Sequence, residues 1–436
     1  MGSYVPGSKA EQQDMLKFLG LSSIDELFGS IPESVKLKGN LNLPTGKSEL
    51  EVVRAMKAIA GKNKVFDVIF RGAGAYNHYI PSVVKTIISK ERFLTAYTPY
   101  QPEISQGILQ AIFEYQSVIC ELTGMDASNA SVYDGASAAA EGVAMCCDAK
   151  KNKVLVSAAV KPGTMATIKT YCKAAGRVVV IIPAKDGVTD MAELKANADG
   201  AACFYAEMPN RNGIIEDYEG FGKLAHEAGA KFILGANPIA LGLYKSPAEF
   251  GADIAVGEAQ PLGMPMSFGG PYLGYMACKT ELTRKLPGRV VGESVDHEGR
   301  KAYVLTLQAR EQHIRRDKAS SNICSNQALC ALTATAYVGA MGSMGLESVA
   351  TQCYSKAHYA AEEIGKIKGF ELVYNNEFFN EFITKCPMDS YKLMEKLEES
   401  GILGGLPVDG GILWCVTEMN TKEDIDRLCT ILREVA

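Results

Sequence analysis

Residues 133–142 place an aspartate, a glycine and several small residues at the start of a predicted helix. Gly135 would let the backbone approach an anion closely. Ala136 and Ser137 would then present backbone N–H groups at the positive end of the helix dipole. The segment therefore predicts either a phosphate-binding helix start or a tightly packed helix start with no ligand, and the sequence favours neither.

A second segment, residues 251–274, has the layout of a covalent-catalysis site but lacks its nucleophile. The apolar run 254–256 predicts a buried strand, and the Gly-Gly-Pro sequence at 269–271 predicts a tight turn. Many enzymes that use pyridoxal phosphate (PLP) hold their Schiff-base lysine between two such elements. No lysine lies between Lys245 and Lys279, so this segment offers no amine for an imine.

A third candidate is a loop rich in tyrosine and proline at residues 96–107, in which prolines 99 and 102 restrict the backbone. Such a rigid loop suits the wall of a binding site, and it equally suits a subunit interface, where tyrosine is enriched. Both interpretations place it at a contact. Its candidate residues are Tyr97, Thr98, Tyr100, Gln101 and Glu103.

The densest cluster of charge lies at residues 309–322 and includes Arg315 and Arg316. Arginine is well suited to carboxylates and phosphates. Because both signs of charge occur in the cluster, a salt-bridged surface or a protein contact is favoured over a nucleic-acid site. The sequence leaves the role of the two arginines open.

Composition narrows the class of protein further. A chain of 436 residues with 47% hydrophobic residues and a net charge of −5 predicts a globular protein with two packed regions and no nucleic-acid surface. Its apolar runs are too short to predict a membrane span. The five histidines have no metal-ligand spacing, so no metal site is expected. The N-terminus does not read as a signal peptide, which predicts a cytoplasmic protein with reduced cysteines.

Short β-rich runs alternate with helical segments from about residue 76 onward, which predicts an α/β fold with a mostly parallel sheet. Three regions are expected: an N-terminal arm (1–75), a large α/β domain (76–325), and a long helix followed by a small α+β domain (326–436). The predicted strands are 154–160, 177–182, 202–207, 231–234, 253–256 and 274–278, followed by 370–374, 381–384 and 412–416.

Several long strings together resemble one family, the glycine cleavage system P-protein. They are the opening YVPGSKAEQQDMLKFLGLSSIDELF, then YTPYQPEISQG, SVYDGASAAAEG, SFGGPYLG and IRRDKASSNICSNQAL. The resemblance extends nearly from end to end, and it is strongest to the separate α-subunit (subunit 1) of the two-chain bacterial form. Because the strings occur in the family's order, they are more specific than any single short motif.

The resemblance implies the architecture of a fold-type-I PLP enzyme, with a large α/β domain and a smaller C-terminal domain. It also implies a reaction in which glycine loses its carboxylate as carbon dioxide, with PLP as the electron sink. The remaining aminomethyl group passes to the lipoyl arm of an H-protein. A heterotetramer with a PLP-bearing β-subunit (subunit 2) is the assembly that the resemblance implies.

Two essential residues of the catalytic subunits are replaced in this chain. The family's His-Lys pair corresponds to Gln260 and Pro261, and proline has no amine. The aspartate that pairs with the pyridinium nitrogen corresponds to Leu234. We therefore expect no PLP held covalently on this chain, and residues 135–137 would be a vestigial phosphate cradle.

The resemblance leaves three roles for the chain. The first is a subunit that is inactive alone and supplies a wall of its partner's site through the loop of residues 97–103. The second is an autonomous PLP enzyme that uses another lysine, such as Lys245 or Lys279. The third is a scaffold that recruits H-protein without shaping the site.

Overall fold

The computed structural model describes residues 7–435, which form two compact units, one ending at Val65 and the other beginning at Phe66. Residues 1–6 and Ala436 lie outside the described residues. The start of the predicted arm, and the first six residues of the N-terminal stretch that bears on a signal peptide, therefore also lie outside them.

The first unit contains two helices, α1 (Lys9–Phe18) and α2 (Glu49–Ala60). Each begins with a capping box, in which a serine and the glutamate three residues later satisfy each other's backbone N–H. Within residues 7–65, Leu16 alone is buried. Local capping therefore defines these helices more than any apolar core within the unit.

The second unit contains the remaining elements. They are β1 (Val68–Ile69), α3 (Ser82–Ile88), α4 (Pro102–Thr123), β2 (Ala127–Ser128), α5 (Gly135–Cys146), β3 (Lys153–Ser157), α6 (Pro162–Ala174), β4 (Val178–Ile182), β5 (Ala184–Lys185), β6 (Val188–Thr189), α7 (Met191–Asn197), β7 (Ala201–Met208), α8 (Tyr218–Glu227), β8 (Lys231–Ala236), β9 (Ile254–Glu258), β10 (Gly274–Cys278), β11 (Val290–Val295), β12 (Lys301–Thr306), α9 (Gln312–Arg315), α10 (Ala328–Gly365), β13 (Glu381–Thr384), α11 (Ser390–Glu399), β14 (Ile402–Leu403), β15 (Leu406–Val408), β16 (Gly411–Cys415) and α12 (Lys422–Val435).

A seven-stranded sheet in the order β2-β10-β9-β8-β7-β3-β4 forms the centre of this unit. The five strands from β9 to β4 are parallel, and β10 runs antiparallel to both β9 and β2. Neighbouring residues of β8 enter different cores, since Ile233 packs with α5 and α6 and Leu234 packs with α8 and α10. Covering on both faces explains why these strands read as continuous apolar runs.

The C-terminal region forms a second sheet in the order β13-β16-β15, packed with α11, α12 and the end of α10. Trp414 is fully buried there, and its Nε1 donates to Thr384 Oγ1 at 2.9 Å. The predicted strand at 370–374 was wrong, because this segment contributes only an isolated bridge between Leu372 and Thr384. A polar Asn-Asn-Glu turn follows it directly, at 375–377.

Within the described part of the chain, helix α10 is long and apolar enough to cross a membrane by length and composition. The sequence contains no uninterrupted run of apolar residues as long as this helix. The backbone leaves the helical conformation at Gly342, and buried residues on both sides of that break, such as Tyr337 and Ala357, pack in the two cores. These are the properties of a core helix.

Candidate functional site

A cavity of about 290 Å³ opens at the carboxyl ends of β3, β7, β8 and β9. The sheet order reverses between β3 and β7, and ligands of open α/β sheets bind at such a reversal. The start of α5 and the segment 73–76 complete the lining. The cavity is therefore the candidate functional site of the second unit.

Two carboxylates already occupy the helix start that was predicted as a phosphate cradle. Asp134 caps α5, because its Oδ1 accepts the Ser137 N–H at 2.7 Å. Glu258, the last residue of β9, places its Oε2 3.0 Å from the Gly135 backbone nitrogen. Since an incoming phosphate would meet both charges, the cradle that residues 135–137 form is filled from within the chain.

Glu258 is fixed in this position by the backbone around it. Its other oxygen, Oε1, accepts the N–H of Leu273 at 2.8 Å and that of Gln260 at 3.0 Å. Burial raises the pKa of Glu258, although the three backbone N–H groups and their partial charges oppose that rise. The carboxyl group thus joins strand β9, the segment before β10 and helix α5.

The position of the family's Schiff-base lysine has become part of the packing. The Gln260 side chain is fully buried. Its Oε1 accepts the Tyr76 N–H at 2.9 Å, and its Nε2 donates to the Tyr76 carbonyl at 3.0 Å. Pro261 follows in the buried turn after β9. On the neighbouring strand, Leu234, which the resemblance aligns with the aspartate that pairs with the pyridinium nitrogen, is fully buried in the apolar core.

One lysine, Lys161, is found among the described residues that line the cavity. It follows β3, and both its backbone nitrogen and its Nζ face Glu207 Oε2, at 2.8 and 3.4 Å. The two lysines considered from sequence lie elsewhere. Lys245 pairs with Glu219 and Lys279 pairs with Asp253, at 3.7 and 3.4 Å, and neither lines the cavity.

The described residues around the cavity do not fit PLP. Pro261 and Leu234 stand at the positions that the resemblance assigns to the lysine and the ring partner, and the Glu258 carboxyl group lies at the start of α5. The lining includes three carboxylates (Asp134, Glu207 and Glu258) against the single cation of Lys161. An anionic cofactor would therefore meet more carboxyl groups than cations in this cavity.

The tyrosine loop lies outside this cavity, since none of its five candidate residues belongs to the lining. Tyr97 is 85% exposed. Tyr100 is better fixed: its hydroxyl accepts Arg289 Nη2 at 3.3 Å, and its ring meets His313 edge to face at 6.1 Å. Thr98 accepts the Tyr100 N–H at 2.9 Å. The loop is thus ordered by its surroundings and still presents Tyr97 to solvent.

The last two of the five residues lie at the start of α4. Gln101 is the N-cap residue, and Glu103 lies in the first turn. A negative charge at that position interacts favourably with the helix dipole. Both side chains are exposed.

The arginine cluster is also an exposed feature of the described chain. Arg315 Nε donates to the Ala309 carbonyl at 3.2 Å, whereas Arg316 adopts a left-handed backbone conformation with φ of 56°. Both arginine side chains are exposed.

Comparison with known proteins places the chain in a family. A sequence profile described as "Glycine cleavage system P-protein" matches residues 2–432. The chain belongs to the glycine cleavage system P-protein family. A relative from Desulfitobacterium hafniense, "Probable glycine dehydrogenase (decarboxylating) subunit 1", is 48% identical over 99% of this chain and 100% of that protein. A relative of the same description from Moorella thermoacetica is 48% identical over 99% of each chain.

Solved structures agree with this family membership. A glycine decarboxylase (P-protein) of the glycine cleavage system, crystallised in inhibitor-bound form, matches with a TM-score of 0.93 and 40% identity, covering 100% of both chains. The glutamate decarboxylase of Lactobacillus brevis matches with a TM-score of 0.69 at 12% identity, which shows the fold alone. The predicted fold class, a fold-type-I PLP enzyme with a mostly parallel sheet, is confirmed.

Sequence reasoning missed three charged residues of the cavity, Lys161, Glu207 and Glu258. All three lie at or just beyond the carboxyl end of a strand that was predicted, which was the available signal. None of them belongs to a motif, and the contacts of Glu258 with Gly135 and of Lys161 with Glu207 join segments 123 and 46 residues apart. Only the fold brings these pairs together.

Helix α5 also predicts a pH effect on stability. Burial raises the pKa of Glu141 to about 7, although a hydrogen bond from Ser321 and the charge of Arg177 oppose the rise. The folded state holds this proton more tightly than the unfolded state. Protonation of Glu141 therefore stabilises the folded state near pH 4.5, and this stabilisation is lost as pH rises through 7. We expect Glu141→Gln to raise the free energy of unfolding at pH 8 by about 3 kcal/mol.

The effect should vanish near pH 4.5, and urea unfolding at the two pH values measures the difference. Glu227→Gln, on the exposed side of α8, is the matched control and should change stability at neither pH. Equal stability of the Glu141→Gln variant and the native chain at pH 8 would show that burial does not raise the pKa of Glu141.

Proposed function

We propose that this chain is the subunit of a glycine decarboxylase that carries no cofactor of its own. The relatives at 48% identity are described as subunit 1 of glycine dehydrogenase (decarboxylating), and a matching solved structure is a glycine decarboxylase. Glycine is the proposed substrate of the complex. The lipoyl arm of an H-protein would accept the aminomethyl group.

The observation that carries this proposal is the carboxylate of Glu258 at the start of α5. A fold-type-I subunit that binds PLP needs that helix start for the phosphate. Here the chain supplies its own anion, and the lysine and ring-partner positions hold Pro261 and Leu234. The PLP of the complex would therefore be held by the partner subunit.

We further propose that the tyrosine loop faces the partner's site. An 85% exposed tyrosine in an otherwise ordered loop is typical of a residue covered by another protein. Residues 97–103 would then form one wall of the space in which glycine binds or through which the lipoyl arm enters. Arg315 and Arg316 are the candidates for contact with H-protein.

The experiment replaces Tyr97 by phenylalanine in the reconstituted two-subunit complex. Removing a hydroxyl that bonds substrate or partner costs about 1.5 kcal/mol, so we expect kcat for glycine–carbon dioxide exchange to fall about tenfold. The melting temperature of the isolated chain should not change, because Tyr97 is exposed there.

Tyr391→Phe provides the matched control, since Tyr391 is also an exposed tyrosine (70%) but lies on α11. Its substitution should leave kcat unchanged. If Tyr97→Phe and Tyr391→Phe behave alike, the loop does not form a wall of the site and the scaffold role is favoured. Tyr100→Phe is less diagnostic, because it also removes the hydroxyl that accepts a hydrogen bond from the buried Arg289.

One alternative has a specific observation in its favour, the presence of Lys161 in the cavity. An autonomous PLP enzyme would need this amine free and neutral. The Nζ instead lies 3.4 Å from Glu207 Oε2 and forms an ion pair with it. The reductive trapping experiment at the end of the Discussion separates this alternative from the proposal.

A further inference from the structure

Three side chains with metal-binding atoms meet away from the cavity. His78 precedes α3, Cys353 lies in α10, and Glu418 follows β16. Their ligand atoms all lie within 4.8 Å of one another. His78 Nδ1 is 2.8 Å from Glu418 Oε2, and Cys353 Sγ is 3.5 Å from the same oxygen.

The group is buried, which distinguishes it from an ordinary cluster of surface charge. His78 is 8% exposed, Cys353 is fully buried, and the Glu418 side chain is 9% exposed. A buried imidazole, thiol and carboxylate from separate segments represent a considerable desolvation cost, which a bound cation would offset.

Surrounding backbone contacts hold these residues in place. The second oxygen of Glu418 accepts the Tyr79 N–H at 2.7 Å, and Lys356 Nζ donates to the Glu418 carbonyl at 2.6 Å. Thr417, which precedes Glu418, donates its hydroxyl at 2.7 Å to the carbonyl of Asn77, which precedes His78. Such outer contacts orient the ligands of metal sites.

Two polar atoms beside the group have no hydrogen-bond partner among the described residues. They are His78 Nε2 and the hydroxyl of the fully buried Tyr337. Tyr337 belongs to the same buried core as Cys353. Buried polar groups without partners require a water molecule or an ion to satisfy them.

We propose that His78, Cys353 and Glu418 form a site for a divalent transition metal of the zinc class. Nitrogen, sulfur and carboxylate oxygen are the donors that zinc takes, and a tetrahedral ion accepts three protein ligands and one further oxygen. A thiolate and a carboxylate together neutralise a doubly charged cation. Water or the Tyr337 hydroxyl would supply the fourth ligand.

The proposed site would join parts of the chain that pack in different cores. Cys353 and Tyr337 belong to the core of the large sheet, whereas Glu418 follows β16, whose Trp414 belongs to the C-terminal core. A metal bound there would act as a structural clip between the two cores. This inference does not depend on the proposed function of the chain.

The test uses the full chain, stripped with a chelator and then titrated with cobalt(II) chloride and, separately, zinc chloride. Cobalt should produce a thiolate-to-metal charge-transfer band, and zinc should bind with one equivalent per chain. At 100-fold excess over the dissociation constant, zinc should raise the melting temperature by about 3 °C. Absence of the cobalt band from the native chain overturns the proposal and requires no variant.

Variants then locate the metal. Cys353→Ser should abolish the cobalt band and lose the zinc equivalent, and Glu418→Gln should weaken zinc binding at least about tenfold. Cys324→Ser is the control, because Cys324 is exposed and lies outside the group. If a folded Cys353→Ser chain keeps the band, another cysteine binds the metal and the proposal is wrong.

Discussion

The purified chain, supplied with PLP but no partner, is expected to catalyse no measurable exchange of carbon dioxide with glycine. Decarboxylation of an amino acid needs an electron sink, and under the proposed function the partner subunit holds it. Pro261 has no amine, and the Glu258 carboxylate occupies the phosphate position. Since enzymes accelerate reactions at least about 10⁶-fold, the loss should be at least of that order relative to the complete complex.

Adding the PLP-bearing subunit should restore exchange, with a rate that saturates at a fixed ratio of the two chains. Radiolabelled bicarbonate and glycine provide the assay. Exchange by this chain alone, at more than a trace of the rate of the complex, would contradict the account, provided that mass spectrometry shows no partner subunit in the preparation.

Replacing Glu258 by alanine is expected to have the largest effect on stability. The side chain accepts three backbone N–H groups, those of Gly135, Gln260 and Leu273, at 2.8 to 3.0 Å. Each group left without a protein partner costs about 1–3 kcal/mol, although water entering from the cavity offsets part of this. We expect the free energy of unfolding to fall by about 3 kcal/mol, measured by urea denaturation.

The same variant should gain an affinity for anions, because the Gly135 N–H at the start of α5 becomes free. Millimolar inorganic phosphate should therefore raise the melting temperature of Glu258→Ala but not that of the native chain. Glu298→Ala, in the exposed turn between β11 and β12, is the control and should change neither property. A Glu258→Ala chain as stable as the native one would mean that the carboxylate does not hold the cradle closed.

The sheet of the second unit was largely predictable from the sequence. Strand 274–278 was predicted with the bounds of β10, and the strands at 177–182, 202–207 and 253–256 differ from β4, β7 and β9 by a residue or two at their ends. Strands β7 and β10 are buried throughout and β9 is buried at its first three residues, whereas β4 is an edge strand with two exposed residues. All four nevertheless read as continuous apolar runs bounded by polar turns. Packing and sequence pattern agree in this region.

Elements that depend on pairing with distant residues were not predictable. The hairpin of β11 and β12 was missed, because β11 has only two buried residues before an exposed end and β12 has only two, Tyr303 and Leu305. The strand predicted at 370–374 has β propensity but no continuous partner. Pairing partners decide such elements, and a single sequence does not specify them.

The candidate site, like the fold, could be predicted from the sequence only in part. The losses at Pro261 and Leu234 were visible in the sequence, because the family pattern fixes those positions. The replacement for the phosphate was not visible, since Glu258 reaches Gly135 only after β9 and α5 have been packed together. The structure thus adds to the missing amine a carboxylate that closes the cradle.

The most direct test of the central claim is reductive trapping in the assembled complex. The two subunits are mixed with PLP, reduced with borohydride, and digested for peptide mass spectrometry. The account predicts a stoichiometric pyridoxyl group on one lysine of the partner subunit, and no stoichiometric adduct on any lysine of this chain. A stoichiometric pyridoxyl adduct on this chain, above all at Lys161 in the cavity, would contradict it.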